Sequence, residues 1–310
     1  MDATHRFDPV HKLPDVRAVE WPTLSLILGA SAVWILATTL ISAISLPLGI
    51  VVTTLAIALL SSLSHEVLHG HPFRNQKWNE ALVFIQPNLF VPYGRFRDTH
   101  LAHHHDEDLT DPYDDPESNY FDPAVWARQP RFVRWIYRFN NTLLGRMLIG
   151  TVLGQISFMR ADWRLIRGGD RSVATAWALH LVGVVLVVWW VIAVSAMPFW
   201  AYLLAAYCGM ALIKIRTFLE HRAHEKCRAR TVIIEDRGIL AFLFLNNNFH
   251  VVHHAHPKVA WYRLPALYEA RKEAFQARNE SYVYRSYRDV FARYFLRTKD
   301  PVPHPLWRPK

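Results

Sequence analysis

Residues 21–64 read WPTLSLILGASAVWILATTLISAISLPLGIVVTTLAIALLSSLS and contain no Asp, Glu, Lys, Arg or His. A helix needs about 20 predominantly apolar residues to cross the hydrocarbon core of a bilayer. This block is about twice that length, and Ser45-Leu46-Pro47-Leu48-Gly49 places turn-forming residues near its middle. It predicts a hairpin of two membrane-spanning helices, roughly 23–44 and 47–64. A second block, residues 172–213, carries no Asp, Glu, Lys or Arg, and His180 is its only histidine. Ser195-Ala196-Met197-Pro198 divides it into spans of roughly 174–195 and 199–219. The expected fold class is therefore all-α: an integral membrane protein with four transmembrane helices in two hairpins, forming one domain over 1–310.

Charge sets the orientation. The chain has 310 residues, 35 Lys+Arg against 26 Asp+Glu, and a formal charge of +9. Neither hairpin loop holds a Lys or Arg, whereas the N-terminus carries Arg6, Lys12 and Arg17. The segment 72–173 carries Arg74, Lys77, Arg95, Arg97, Arg128, Arg131, Arg134 and Arg138, and the C-terminal 90 residues are also basic. The positive-inside rule puts both termini and the segments 65–173 and 220–310 in the cytoplasm. A bacterial chain of this kind would sit in the inner membrane. The basic balance then needs no nucleic-acid partner, because anionic lipid accounts for it. Met1–Glu20 is polar and is not expected to act as a cleavable signal. Two cysteines, Cys208 and Cys227, give no disulfide framework and no CxxC.

The histidines carry the chemistry. Twelve of the 17 fall in four clusters: His65, His69, His71; His100, His103, His104, His105; His221, His224; His250, His253, His254. On the expected topology all four lie on the cytoplasmic side and can meet just below the membrane. His100, His103, His104 and His250, His253, His254 repeat an i, i+3, i+4 spacing that shares one helix face, and His65 and His69 are i, i+4. His105 falls off its face and His71 lies beyond Gly70, so both are weaker candidates; of His221 and His224 either could serve. His5, His11 and His304 read as ordinary amphipathic residues. His180 reads as hydrogen-bonded to a neighbouring helix.

His65-Glu66-Val67-Leu68-His69 also matches the H-E-x-x-H zinc-protease signature. That reading needs one distant third ligand and leaves two H-x-x-H-H strings unexplained. A metal transporter would carry ionisable residues at mid-bilayer, where these spans are nearly bare. A catalytic zinc takes three protein ligands and a water. Eight or nine converging histidines suit two ions instead, and imidazole alone does not choose between iron, zinc, copper and nickel. Glu66, Asp106, Glu220 and Glu225 lie close enough in sequence to orient such ligands. Asp98, Asp111, Asp114, Asp115 and Glu117 could do the same or be solvated loop residues.

The strings HEVLHGH, HLAHH and HVVHH resemble the three histidine boxes of the membrane fatty acid desaturase/hydroxylase superfamily. HVVHHAHPKVAWYRLPALY strengthens the likeness, and DDPES and FLEH are similar to segments of the related alkane hydroxylases. The resemblance covers roughly residues 21–270. It implies a non-haem di-iron centre, two Fe ions, that uses O2 to attack an unactivated C–H bond of a lipid or fatty acyl chain. Carried over by position, it implies the metal ligands His65, His69, His100, His103, His104, His221, His250, His253 and His254, with Glu66, Asp106 and Glu220 supporting them. The asparagine that some members carry near the histidine after the last span is missing from IKIRTFLEH; Asn246, Asn247 or Asn248 could substitute.

Desaturation is the expected outcome, with hydroxylation of a fatty acid or alkane and oxidative decarboxylation to a terminal alkene as alternatives. No flavin fingerprint, four-cysteine iron–sulfur pattern or haem-binding domain is present. An external ferredoxin, rubredoxin or cytochrome b5 is therefore the expected electron donor, steered by the basic face. Residues 74–97 read as an interfacial amphipathic segment, 141–158 as a second such helix or a buried one, 267–275 as a solvated helix, and the proline-rich tail as irregular.

Overall fold

The computed structural model describes residues 19–104 and 107–308. Four of its helices are long and apolar enough to cross a membrane: Trp21–Ile44 (α1), Leu46–Leu68 (α2), Arg171–Ala193 (α8) and Phe199–Thr217 (α9). Local chemistry sets their ends. Ser45, extended between α1 and α2, caps α2 by accepting from the Leu48 amide, with a proline in the first turn. Asp170 caps α8 by accepting from the Val173 amide at 3.1 Å. Gly70, at φ +102°, ends the α2 segment in a backbone conformation that a side chain resists.

Helix α1 contains a π turn over Ala37–Ile41. The widened turn presents the Thr38 carbonyl to the second hairpin loop, where it accepts from the amides of Ala196 (3.0 Å) and Met197 (3.2 Å). The two hairpins are thus tied at the end remote from the histidines. Between α2 and α9 the backbones pack closely: a Cβ on Gly209 would lie 2.9 Å from Ile57 Cγ2 and 3.1 Å from the Thr54 carbonyl. Lipid supplies no hydrophobic drive between helices, so small residues at such contacts are what let them associate.

Between α2 and α8 lie Gln76–Leu82 (α3), Tyr93–His103 (α4), Pro123–Ala127 (α5), Arg131–Asn140 (α6) and Leu143–Arg167 (α7). Residues 83–91 do not lie along the interface as an amphipathic surface segment. They enter the bundle without regular structure. The Pro87 carbonyl accepts from Tyr202 Oη (2.6 Å) in the first turn of α9, Phe90 O accepts from Gln155 Nε2 (2.7 Å), and Leu89 O faces His180 Nε2 (3.2 Å). Irregular backbone at membrane depth is tolerated only where protein satisfies it, and these side chains do so. His180 is hydrogen-bonded as expected of it, but to this segment and not to a helix.

After α9 come a two-residue strand Ile233–Ile234 (β1), Ile239–Leu243 (α10), His250–Ala255 (α11), Leu264–Ala270 (α12), Lys272–Arg278 (α13), Val283–Tyr284 (β2) and Tyr287–Tyr294 (α14). β1 and β2 pair in parallel, a small departure from an all-helical cap. The helices over 264–278 are solvated on one face only: Glu269, Glu273 and Ala277 are exposed, whereas Tyr268 and Phe275 are fully buried with Phe249, Val251 and Val252 in one core. Residues 299–304 have no regular structure yet are packed, with Phe121 N donating to Val302 O (3.0 Å) and His304 N to Phe121 O (2.8 Å).

Candidate metal centre

Four segments bring their histidines together at one end of the bundle. His65 closes the last turn of α2 and His69 caps it; His100 and His103 end α4; His221 follows α9; His250, His253 and His254 occupy α11. They form two groups. In the first, His65, His69, His100 and His253 offer one nitrogen each, all within 4.8 Å of one another, and His103, His221, His250 and His254 do the same in the second. His104 Nε2 stands 3.0 Å from His100 Nε2 and 3.2 Å from His253 Nε2, beside the first group. Its ring stacks on His254 with centroids 4.4 Å apart. The i, i+3 and i, i+4 spacings thus serve both groups at once, since α4 and α11 each give histidines to both.

Carboxylates and an amide hold the rings. His103 Nδ1 meets Asp115 Oδ1 at 2.7 Å, His100 Nδ1 meets Glu117 Oε1 at 2.9 Å, and His250 Nδ1 meets Asn247 Oδ1 at 3.1 Å. An oxygen at Nδ1 keeps the proton there and turns the Nε2 lone pair inward, the arrangement that metal-ligating imidazoles use. Asn247 is itself set by Glu220 Oε1 (3.3 Å), which pairs with Arg216 Nε (3.0 Å). Glu220 is therefore a support one step behind His250. Lys299 Nζ donates to the His221 carbonyl at 2.7 Å, so the tail positions that histidine.

Glu66 points elsewhere. Its Oε1 accepts from the Trp261 amide at 2.8 Å and lies 3.8 Å from His71 Nε2, while His71 Nδ1 bonds Glu20 Oε2 at 2.7 Å. It links the first histidine segment to the chain that follows the third. His71 joins neither group. His224 turns away too, its Nε2 3.2 Å from Glu280 Oε2. Asp106 and His105 lie outside the described residues. Asp115 and Glu117, which sequence could not separate from Asp98, Asp111 and Asp114, prove to be the carboxylates at the rings.

The donor set fits metal ions. Nε2 of His65 and of His69 are buried and have no hydrogen-bond partner among the described residues, an arrangement that costs about 1–3 kcal/mol per group unless something accepts the lone pair. Burial first, then the neighbouring histidines, pushes the pKa values of His69, His104, His221, His250 and His253 down, favouring the neutral, ligating form. His103 is the exception: burial works against its charge, but Glu117 and Asp115 outweigh it and raise the pKa to about 9. Glu117 is held low in return, because His103 and His100 overcome the cost of its burial. Glu220 is raised by burial, against the pull of Arg216.

An all-imidazole double pocket at the end of four helices long and apolar enough to cross a membrane is suited to hold metal ions. The family model for fatty acid desaturases matches residues 21–286. The chain belongs to the fatty acid desaturase family. No individual curated sequence matches it significantly. Membership makes it an integral membrane oxidoreductase of lipid acyl chains.

Proposed function

We propose that the chain holds two iron ions and uses O2, with two electrons and two protons from outside, to remove two hydrogens from adjacent carbons of a fatty acyl chain, giving a double bond and two waters. The observation that carries this is the division of eight histidines into two adjacent groups of four, both of which draw on α4 and α11, with His104 beside the first. Dinuclear iron, when bound, supplies an oxidant strong enough for such a bond. The first ion would be held by His65, His69, His100 and His253 with His104 beside them, the second by His103, His221, His250 and His254.

The protein's own part is positioning. Asp115, Glu117 and Asn247 keep three Nδ1 protons in place so that Nε2 points inward. Phe96 packs against the first group, its ring centroid 6.4 Å from that of His65 and 5.7 Å from that of His100. The substrate's polar head stays at the cytoplasmic surface, among the arginines, while its chain enters from the bilayer. Both termini and the centre lie on the cytoplasmic side, where an external ferredoxin, rubredoxin or cytochrome b5 delivers two electrons.

Two other readings of the histidines fare worse. A zinc protease needs the glutamate of H-E-x-x-H as a base at the metal, but Glu66 is bonded to the Trp261 amide. A metal transporter needs ligands along a path, but these gather at one end. The test is lipid analysis by gas chromatography–mass spectrometry of cells expressing the wild-type chain or His253→Ala/His254→Ala. New unsaturated acyl chains with the wild type alone support the proposal. A hydroxylated acid or a terminal alkene keeps the oxidase and replaces the outcome; no lipid change with a metal-loaded, reducible protein overturns it.

A further inference from the structure

Helices α6 and α7 are not among the four spans, yet they leave a large apolar surface uncovered. On α7, Leu148, Val152, Ile156, Met159 and Trp163 are 42–61% exposed. At about 100° per residue these five share an arc of roughly 80°. The adjoining arc carries Arg160, Arg164 and Arg167, all exposed. The inner face is fixed in the protein: Asp162 is buried, takes two 2.9 Å bonds from Arg95 and accepts from Trp177 Nε1 at 2.8 Å. Helix α6 repeats the pattern. Phe132 and Trp135 are 67% and 68% exposed, Phe139 stacks on Trp135, and Arg131, Arg134 and Arg138 occupy the next arc.

A stripe of this extent is more than an aqueous surface normally shows. An apolar arc bordered by arginines and aromatic rings suits a helix lying in the membrane interface. The stripe also continues the lipid-facing surface of a span: Tyr207 of α9 donates to the Leu148 carbonyl, and Leu203 and Leu204 on α9 are exposed nearby in sequence. We infer that α6 and α7 form an in-plane hairpin embedded in the leaflet on the arginine side, binding anionic phospholipid through these two arginine arcs. This rests on the membrane setting of the four spans and not on the redox reading.

The experiment uses the full chain in nanodiscs of phosphatidylcholine with phosphatidylglycerol. Cys208→Ser and Cys227→Ser clear the background, and nitroxide labels are placed through Val152→Cys, Ile156→Cys and, as a control, Arg164→Cys. Labels at 152 and 156 are expected to collide with oxygen and not with an aqueous nickel chelate, and the label at 164 with nickel. Nickel access at 152 and 156, or exclusion of both reagents by a covering protein, overturns the inference. Native mass spectrometry reads the headgroup part. Arg131→Gln/Arg134→Gln/Arg138→Gln is expected to lower retained phosphatidylglycerol by at least about fivefold, the effect of losing about 1 kcal/mol from a single arginine near an anionic surface. Unchanged retention in a folded variant rejects anionic lipid as the partner. Neither readout depends on metal loading or turnover.

Discussion

His103 Nδ1 stands 2.7 Å from Asp115 Oδ1, and both side chains are almost wholly buried. The carboxylate is fixed in turn by the Thr110 amide on Oδ2 at 2.8 Å and the Glu117 amide on Oδ1 at 2.9 Å. The loop after the second histidine segment is therefore part of the centre, aimed by backbone hydrogen bonds at one imidazole. Asp115→Asn keeps the volume and removes the charge. Loss of such a partner typically costs about 10–100-fold in metal affinity or activity. The expected result is that fall in metal content or turnover together with a lower melting temperature, because the amide's NH2 must face the Thr110 or the Glu117 N–H, read by elemental analysis and thermal unfolding in detergent.

Glu66 separates a strut from a base. Because its Oε1 receives the Trp261 amide, Glu66→Gln preserves an acceptor there. Turnover is expected to stay within about threefold of wild type, since a neutral hydrogen bond contributes only about 0.5–1.5 kcal/mol. Glu66→Ala leaves the amide unsatisfied and is expected to lower stability by about 1–3 kcal/mol. Abolition of activity by Glu66→Gln in a folded protein would contradict the strut assignment.

The histidines after α9 give a paired comparison. His221 lies between both neighbours of its group, 2.8 Å from His103 Nε2 and 3.1 Å from His250 Nε2, whereas His224 faces Glu280. His221→Ala is expected to reduce bound metal, and His224→Ala to leave it unchanged. Equal losses from the two would count against the second group as drawn.

At the α2–α9 contact, Gly209→Val forces atoms where Ile57 and the Thr54 carbonyl already stand. Overpacking of this kind costs about 1–3 kcal/mol. The expected readout is a lower melting temperature in detergent, partly restored by Ile57→Ala, which clears the space.

Much of this was legible in the sequence because two signals are local. Length without charge marks the four long apolar helices, and i, i+3, i+4 spacing marks the histidines of α4 and α11. What escaped depends on contacts distant in sequence. Gln86 and Asn88 make residues 83–91 look like interface, but Gln86 Nε2 reaches Ser64 Oγ (3.3 Å) and Asn88 Oδ1 takes the Phe90 amide (2.9 Å) inside the bundle. The acidic stretch of sequence over 107–117 has no periodicity, so nothing local told Asp115 and Glu117 from Asp111 and Asp114. The choice between His221 and His224 was open because α9 ends at Thr217, before helical spacing could apply. In 264–278, the buried Tyr268 and Phe275 were hidden among Glu269, Arg271, Lys272 and Glu273.

The most direct test of the two-group centre is metal stoichiometry on the detergent-purified chain, by mass spectrometry, beside His65→Ala/His69→Ala and His103→Ala/His250→Ala. The account predicts about two metal ions per wild-type chain, as in dinuclear sites, and about one in each double variant, from opposite groups. One ion in the wild type, lost with His65→Ala/His69→Ala and untouched by His103→Ala/His250→Ala, would contradict it.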